Sequence, residues 1–278
     1  MVMEPTTQAT QPAAARTSTQ ATKALETYEQ IAPYYDLFTA HHDYELWLGE
    51  LLAALEGHGL RGRRLLDVGC GTGKSFLPLL ERGWKVTACD LSASMAARAR
   101  EKVSGRTPVY VVDMRKMPVF GEFDLVWALD DAVNYLDDLD DLRAALRGMR
   151  ANLAPGGLLL FDVNVLGAYR TFYVDTEVQE HDDLRLRWVG LAAPDAPPGG
   201  IFEARFEVER RDSGEPVSSE VHRHRHFPVA DVRAAMAAAG VELLGAFGQG
   251  YDGVLRQPLD EDEHVKAVFI GRASRAPR

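Results

Sequence analysis

Short apolar runs alternate with amphipathic segments through the middle of this chain. The runs have the length and residue types of buried strands, and they occupy 64–68, 86–89, 109–112, 123–129 and 158–163. The segments between them have the spacing of helices. Strands that alternate with helices predict a mostly parallel sheet covered by helices on both faces. We therefore expect an α/β protein with a doubly wound sheet.

The pattern changes beyond the fifth run. Apolar and polar residues now alternate, and turns rich in proline and glycine divide the stretches 184–189, 201–208 and 217–227. This alternation predicts an antiparallel β insertion over 167–228. The remaining segment, 229–273, would contain a helix and two strands. These are predicted at 229–239, 241–246 and 265–270. With the last two strands antiparallel, the main sheet would have seven strands.

The N-terminal region has a different composition. Residues 1–22 are mostly Thr, Gln, Ala and Pro, which predicts a disordered tail, and no apolar segment typical of a signal peptide is present. Residues 23–60 are rich in aromatic residues, and apolar residues over 47–55 fall on one helical face that Gly57 and Gly59 would end. We expect an N-terminal helical cap over the sheet.

Length and charge limit the possible partners. The chain has 278 residues, enough for one large domain or for a core with an insertion. Its formal net charge of −10 and a pI near 5.3 argue against nonspecific binding to nucleic acid or to membrane surfaces. No apolar run is long enough to cross a bilayer. We expect a monomer or homodimer without a nucleic-acid or membrane partner.

The cysteine content bears on the compartment and on metal binding. The chain has only two cysteines, Cys70 in a glycine-rich turn and Cys89 at the end of a predicted strand. Neither spacing suggests a metal site. A reduced, cytoplasmic protein without a bound metal is the simplest interpretation.

The first predicted strand leads directly into a glycine-rich loop, Asp67-Val68-Gly69-Cys70-Gly71-Thr72-Gly73. Glycines allow a sharp bend and a close approach of a ligand, and a helix over 74–80 would direct its first amides toward that ligand. A nicotinamide or flavin fingerprint places the third glycine one residue later. A phosphate-binding P-loop requires glycine where Val68 stands. A tight turn without any ligand also fits the loop taken alone.

The loop matches a third pattern at every position. Its spacing, (D/E)-x-G-x-G-x-G, resembles the loop with which class I S-adenosylmethionine (SAM)-dependent methyltransferases bind their cofactor. The resemblance implies a Rossmann-like core over 61–166 and SAM as the cofactor. Within that family this chain is most similar to the small-molecule branch, which includes natural-product and amino-sugar N-methyltransferases.

Acidic residues follow the next two strands. Asp90 closes the second strand 17 positions after Gly73, near the spacing of roughly 20 expected for an acid that binds ribose. Its carboxylate could accept hydrogen bonds from both ribose hydroxyls. Asp113 closes the third strand, where an acid or amide of the resembling family meets the adenine amine. Met114 could then pack on the purine.

Further stretches resemble parts of the same family. Pro155-Gly156-Gly157 before the fifth strand is a frequent landmark there, although physically it predicts only a tight turn. Asp131-Ala132-Val133-Asn134-Tyr135-Leu136 resembles the segment after the fourth strand of many small methyltransferases. Amino-sugar N-methyltransferases carry histidine at the position of Tyr135, so this chain departs from a histidine base there. Tyr28 and Tyr35 resemble residues of a lid over SAM, or they pack the cap onto the core.

The resemblance therefore implies a set of cofactor contacts in the lid, the glycine loop and the strand ends. These residues are Tyr28, Tyr35, Asp67, Gly69, Cys70, Gly71, Gly73, Asp90, Leu91, Asp113, Met114 and Leu129.

Three histidines alternate with arginines near the end of the insertion. The period of two places His222, His224 and His226 on one face of a strand. No cysteine or acidic motif nearby completes a metal site. We expect a solvated or half-buried strand face, with a role in the acceptor pocket as the alternative.

The resemblance implies transfer of a methyl group to nitrogen, oxygen or carbon of a small molecule, in secondary metabolism. Such an in-line displacement depends on alignment and on exclusion of water. A general base is needed only where the acceptor keeps its proton. The candidates are Tyr28, Asp131, Tyr135, His224 and His226. An inactive SAM-fold protein with a binding or regulatory role, or an NAD-dependent oxidoreductase, is the alternative.

Overall fold

The computed structural model describes residues 19–195 and 197–274. Most of the predicted disordered tail therefore lies outside the described residues. Its last part does not, because a helix begins at Thr19 and the backbone over 19–22 is helical.

The described residues form seven α-helices and twelve strands. The helices are α1 Thr19–Phe38, α2 Tyr44–Gly57, α3 Leu77–Glu81, α4 Ala93–Val103, α5 Leu139–Ala151, α6 Leu166–Tyr169 and α7 Val229–Ala238. The strands are β1 Arg64–Val68, β2 Lys85–Asp90, β3 Val109–Val111, β4 Phe123–Ala128, β5 Leu153–Asn164, β6 Thr176–Glu180, β7 Leu184–Gly190, β8 Ile201–Arg210, β9 Pro216–Arg225, β10 Val241–Gln249, β11 Leu255–Arg256 and β12 Lys266–Ala273.

The main sheet has the order β3-β2-β1-β4-β5-β12-β10-β11. Its first five strands run parallel, whereas β12 pairs antiparallel with both β5 and β10. This confirms the doubly wound, mostly parallel sheet with an antiparallel final pair. The two-residue strand β11 adds an eighth strand to the seven that the sequence predicts.

The glycine loop does not lead straight into a helix. The predicted helix over 74–80 is wrong at its start, since α3 begins only at Leu77. The position of Pro78 explains the difference. In a helix that began at Lys74, this proline would lack an interior hydrogen bond and would clash with the carbonyl four residues earlier, whereas in the first turn of α3 it is tolerated.

The Pro-Gly-Gly stretch lies inside β5, so the predicted start of the fifth strand at 158 is wrong. The stretch is irregular within that strand, because Gly156 has a φ angle of 80° and the register between β4 and β5 shifts between Leu153 and Leu158. A side chain at Gly157 would place its Cβ 2.6 Å from the carbonyl oxygen of Phe123. The glycine therefore lets the irregular start of β5 approach β4.

A second, antiparallel sheet with the order β6-β7-β8-β9 lies within the predicted insertion. The sequence missed β6, which contains a single apolar residue and forms an edge of the sheet. Apolar residues of this sheet and of α1 form one buried cluster that includes Ile31, Trp188 and Phe206. The second sheet and the N-terminal helix thus pack together at the ends of the main strands.

Two further clusters fill the faces of the main sheet. One packs the sheet against α5 and α7, and the other packs it against α2, α3 and α4. Within the described residues, no helix combines the length and the apolar character needed to span a membrane.

Candidate active site

The glycine loop between β1 and α3 depends on backbone conformations that favour glycine. Gly69, Gly71 and Gly73 have φ angles of 73°, 53° and 91°. Space is also short, because a Cβ on Gly69 would lie 2.9 Å from the Cβ of Ala132. A Cβ on Gly71 would stand 3.8 Å from the ring of Tyr35 on α1. The loop is therefore covered closely by the N-terminal helix.

Asp67 supports the loop from below. Its side chain is buried, and the hydroxyl of Ser75 donates a 2.6 Å hydrogen bond to Oδ2. Burial raises the pKa of this carboxyl to about 7. Asp67 does not line the cavity beside the loop. The structure thus places this predicted cofactor residue behind the site.

Asp90 at the end of β2 faces the cavity. Its carboxylate accepts hydrogen bonds from the backbone amides of Gly71 and Ser92, both at 2.8 Å. Burial raises its pKa to about 6, although the two amides oppose this shift. The side chain therefore fixes the loop and still presents a carboxylate to a ligand.

The carboxylate of Asp113, which follows β3, accepts more hydrogen bonds from the protein than the carboxylate of Asp90. Nε and Nη2 of Arg115 donate to its two oxygens at 2.6–3.0 Å, and Nη1 of Arg115 also reaches Asp141 at 3.1 Å. Burial alone would raise the pKa of Asp113, but the bonds from Arg115 outweigh it and lower the pKa. Asp113 and Met114 both line the cavity.

This smaller cavity, about 110 Å³, collects almost all of the predicted cofactor residues. Only Asp67 and Gly73 of that set do not line it. Backbone at the glycine loop, a carboxylate at Asp90 and apolar side chains at Leu91, Met114 and Leu129 suit the polar and aromatic parts of SAM. The residues present therefore fit the cofactor that the resemblance implies.

A larger cavity of about 580 Å³ adjoins the smaller one. It lies between the main sheet, α1, the start of α2 and the second sheet. Five residues line both cavities. They are Tyr28, Tyr35, Tyr44, Asp130 and Tyr135. We call these five side chains the wall between the two cavities.

A chain of hydrogen bonds crosses this wall. The hydroxyl of Tyr28 donates to the hydroxyl of Tyr135 at 2.8 Å, and the Tyr135 hydroxyl is 2.6 Å from Nδ1 of His222. Burial raises the pKa of both tyrosines well above their ordinary value and lowers that of His222 to about 3. All three groups are neutral near pH 7.

A second tyrosine–histidine pair lines the larger cavity. The Tyr173 hydroxyl is 2.5 Å from Nδ1 of His224, and Nε2 of His224 is 3.5 Å from Oδ2 of Asp131. Burial lowers the pKa of His224 well below its ordinary value. The expected solvated or half-buried histidine face is therefore wrong, because His222 and His224 are buried against the core.

His226 is also buried but lies elsewhere. Its Nδ1 accepts a 2.9 Å hydrogen bond from the amide of Gly199, and its Nε2 is 3.3 Å from a carboxylate oxygen of Glu261. It lines neither the smaller nor the larger cavity. The structure thus brings Tyr28, Asp131, Tyr135 and His224 together and leaves His226 apart.

Asp130 and Asp131 form a strained turn directly after β4. Both have positive φ angles, 60° and 52°, which non-glycine residues rarely adopt. Asp162 at the end of β5 holds this turn, since its two carboxylate oxygens accept hydrogen bonds from the two backbone amides at 2.7 and 2.9 Å. The strain is localised at the edge of the larger cavity.

Lys266 at the start of β12 completes this cluster. Its ammonium lies 2.7 Å from Asp130, 3.1 Å from Asp131 and 3.0 Å from Asp162. Burial alone would lower the pKa of Lys266, but the three carboxylates raise it well above its ordinary value. One cation thus faces three carboxylates.

The pKa values of Asp130 and Asp131, which share this single cation, shift in opposite directions. Burial alone would raise the pKa of Asp130, but Lys266 outweighs it and lowers the pKa. Burial raises the pKa of Asp131, and repulsion from Asp130 and Asp162 adds to the effect of burial against the attraction of Lys266. Asp131 is therefore the carboxylate of this turn that most readily accepts a proton.

Polar contacts fasten α1 over the glycine loop. Asp36 accepts a hydrogen bond from Thr72 at 2.5 Å and pairs with Lys102 at 2.7 Å. The Lys74 ammonium donates to the carbonyl oxygen of Thr39 at 2.8 Å. Sequence reasoning missed these contacts because their partners are more than 30 positions apart.

The sequence also missed Lys266. The predicted antiparallel pairing of the last two strands did not determine the direction of β12 relative to β5, and the structure shows these two strands antiparallel. The first residue of such a strand lies at the edge where the parallel strands end. Lys266 is opposite Asn164, the last residue of β5. Across residues 19–195 and 197–274, no group of three His, Cys, Asp or Glu side chains is arranged to hold a metal ion.

Known proteins are similar to this chain in sequence and in fold. Residues 65–157 match the family described as a methyltransferase domain. The chain is 31% identical over 220 residues to YqeM of Bacillus subtilis (strain 168), which is named as a methyltransferase, with 78% of this chain and 87% of that protein covered. It is 30% identical over 224 residues to the dTDP-3-amino-3,6-dideoxy-alpha-D-glucopyranose N,N-dimethyltransferase of Streptomyces fradiae, with 77% of this chain and 84% of that protein covered.

A solved structure shows the same fold. The SAM-dependent methyltransferase from Clostridium acetobutylicum ATCC 824 has a TM-score of 0.72 at 20% identity, covering 87% of this chain and 97% of that chain. The matched sequence spans the glycine loop and the strands that form the smaller cavity. The chain belongs to the SAM-dependent methyltransferase family.

Proposed function

We propose that this methyltransferase holds SAM in the smaller cavity and methylates a small-molecule acceptor in the larger one. The observation that carries the proposal is the wall of five side chains that both cavities share. A methyl group on the cofactor side of that wall has an acceptor space directly beyond it. Displacement in line requires this placement of the two molecules on opposite sides of the transferred group.

The residues of the smaller cavity would divide the cofactor between them. Asp90 would accept hydrogen bonds from the ribose hydroxyls, and the glycine loop would meet the methionine part. Met114 would pack against adenine. Asp113 would contribute less than Asp90, because Arg115 already occupies both of its oxygens. When bound, SAM supplies a methyl group on positively charged sulfur.

The wall would position the acceptor and remove its proton. Tyr135 keeps its proton near pH 7, since burial raises its pKa well above 10. It therefore orients the acceptor by a hydrogen bond and does not act as a base. Asp131 is the better base, because burial raises its pKa while the nearby turn holds it at the cavity edge. His224, which contacts the hydroxyl of Tyr173, lies 3.5 Å from Oδ2 of Asp131 and would help to position this carboxylate.

Nitrogen is the acceptor atom that these groups favour. A carboxylate base suits an ammonium that must lose a proton before it attacks. The relative from Streptomyces fradiae is named as an N,N-dimethyltransferase, which supports the same choice; oxygen and carbon remain the alternatives. Both cysteines are free and buried, which supports a cytoplasmic location; a monomer or homodimer remains our proposal for the assembly.

Two measurements test the proposal. Calorimetry should show binding of SAM and of its demethylated product, S-adenosylhomocysteine. A mass-shift screen with amines, phenols and indoles should then detect a gain of one methyl group on an acceptor. Absence of SAM binding together with tight binding of NADH would refute the assignment.

A further inference from the structure

The larger cavity contains an excess of negative charge. Five carboxylates line it, but Lys266 is the only lysine or arginine among its lining residues in the described part of the chain. The acidic residues are Asp43, Asp130, Asp131, Glu177 and Asp252. Because Asp130 and Asp131 lie at the wall next to the cofactor side, the negative charge is concentrated where the reacting group of the acceptor would sit.

Lys266 is not available to bind an anion. Its side chain is only 15% exposed and lies within 3.1 Å of three carboxylates. The two buried histidines of the cavity cannot replace it as cations. Burial lowers the pKa of His222 and His224, so these rings are neutral near pH 7. A phosphate or carboxylate in this space would face carboxylates without a free counter-ion.

One buried nitrogen atom without a hydrogen-bond partner belongs to a residue that lines the larger cavity. Nε2 of His222 has no hydrogen-bond partner among the described residues, although His222 is only 4% exposed and lines the larger cavity. An unpaired buried polar group is costly unless a ligand or water completes it. The bond from Tyr135 occupies the other ring nitrogen. His222 is therefore poised to contact a polar group of the acceptor.

Several aromatic side chains also line the larger cavity. Trp188 stacks on Phe172 with ring centroids 4.7 Å apart and on Phe38 with centroids 5.9 Å apart. Tyr28 and Tyr35 meet edge to face at 6.2 Å beside the wall. Aromatic surfaces bind apolar groups and also attract cations through their ring faces. The larger cavity thus has an aromatic surface that can bind the apolar part of a ligand, and an acidic end.

We infer that the acceptor is an amine on an apolar or aromatic body that carries no phosphate or carboxylate. An acceptor ammonium would supply the positive charge that Asp130, Asp131 and Asp162 lack, and it could pass its proton to Asp131 before it attacks the methyl group. This acceptor class differs from that of the Streptomyces fradiae relative, whose name specifies a dTDP-linked sugar. The inference rests on the proposed function, because it assigns the larger cavity to the acceptor.

Calorimetry on the full chain loaded with S-adenosylhomocysteine tests the charge selection without any turnover. The probes are tryptamine, tryptophan, which adds a carboxylate to the same ring and amine, and thymidine diphosphate. We expect tryptamine to bind at least about tenfold more tightly than tryptophan, a difference that one unfavourable charge contact can produce. Thymidine diphosphate should neither bind nor compete.

Two variants relate the preference to the inner carboxylates. Asp131→Asn should reduce the preference for tryptamine over tryptophan, whereas Asp252→Asn should change it much less, because the side chain of Asp252 is 52% exposed and is already paired with Arg256. Retained binding of S-adenosylhomocysteine shows that each variant is folded. Equal binding of tryptamine and tryptophan, absence of binding by both, or tight binding of thymidine diphosphate would overturn the inference. Loss of S-adenosylhomocysteine binding by the unmodified chain would instead overturn the proposed function.

Discussion

The hydroxyl of Tyr28 on α1 donates a 2.8 Å hydrogen bond to the hydroxyl of Tyr135, which lies in the segment after β4. The two residues are 107 positions apart in the sequence. The two rings also meet edge to face with centroids 5.2 Å apart. This pair connects the N-terminal helix to the core at the boundary between the two cavities. Each cavity is therefore lined by residues from both parts of the chain.

Replacing Tyr135 by phenylalanine tests the role of this hydroxyl. The ring and its packing remain, but the bonds to Tyr28 and His222 are lost. We expect nearly unchanged SAM affinity and a kcat reduced about tenfold or more, since one lost hydrogen bond at the transition state has about that effect. Steady-state kinetics and SAM titration measure the two quantities. Tyr34→Phe, on α1 but outside both cavities, is the matched control. A wild-type rate in the Tyr135 variant would show that this residue only packs.

Asp90 and Asp113 should contribute unequally to SAM binding. Asp90→Ala removes a carboxylate that faces the cavity, and about 1.5–3 kcal/mol is expected for each charge-assisted bond lost. Asp113→Ala should cost less, because the carboxylate it removes is already paired with Arg115. Calorimetric titration of the two variants measures the difference, with thermal unfolding as the control for folding. Similar losses in both variants would contradict the assignment of Asp90 to the ribose.

Lys266 should set the pH dependence of turnover. The carboxyl of Asp131 must be ionised to accept a proton, so kcat should fall as the pH drops through its raised pKa. Lys266→Met removes the cation that favours the ionised form, and the acid limb of the kcat–pH profile should move to higher pH. Lys266→Arg should keep the limb near its original position. An unchanged pH profile in the methionine variant would show that Asp131 does not remove the proton.

The contacts of Asp36 should keep α1 closed over the cofactor. Asp36→Ala removes the bonds to Thr72 and Lys102 but leaves the apolar packing of α1 on the second sheet. We expect faster dissociation of SAM and faster proteolysis within α1 in the absence of ligand. Glu45→Ala, which removes an exposed ion pair with Arg82, is the control. Stopped-flow dissociation and limited proteolysis with equal rates in both variants would argue against this role.

His222 should reduce stability in acid. Its pKa is lowered to about 3 in the folded protein, whereas an unfolded histidine titrates near about 6.5. Between these values the unfolded chain binds a proton that the folded chain excludes, so stability falls as the pH decreases. The linkage amounts to about 2 kcal/mol at about pH 5. Chemical unfolding of His222→Asn should show a smaller loss between about pH 7 and 5 than the parent chain, and an equal loss would contradict a neutral buried ring.

The local sequence determined the sheet and most of the residues that line the smaller cavity beside the glycine loop. Apolar runs followed by polar residues identify buried strands and the edge where they end, because burial favours one residue type and the turn after the strand favours another. The positive φ angles of Gly69, Gly71 and Gly73 follow from the same local constraint. Asp90 could be identified for this reason, since its position depends only on the length of the second strand and the loop before it.

The tertiary structure decided the acceptor side. Tyr28, Tyr135 and His222 come from the N-terminal helix, the core and the second sheet, and no periodicity relates them. The sequence predicted a solvated or half-buried face for the histidines, because their neighbours in β9 are arginines. In the structure the arginines lie on one face of β9, and the packing of α1 and the core buries the other face, which carries the histidines. Lys266 likewise acquires its role only when β12 places it beside three carboxylates. Local patterns reflect local backbone and burial preferences, but the charge and hydrogen-bond partners of a buried group depend on which distant segments pack against it.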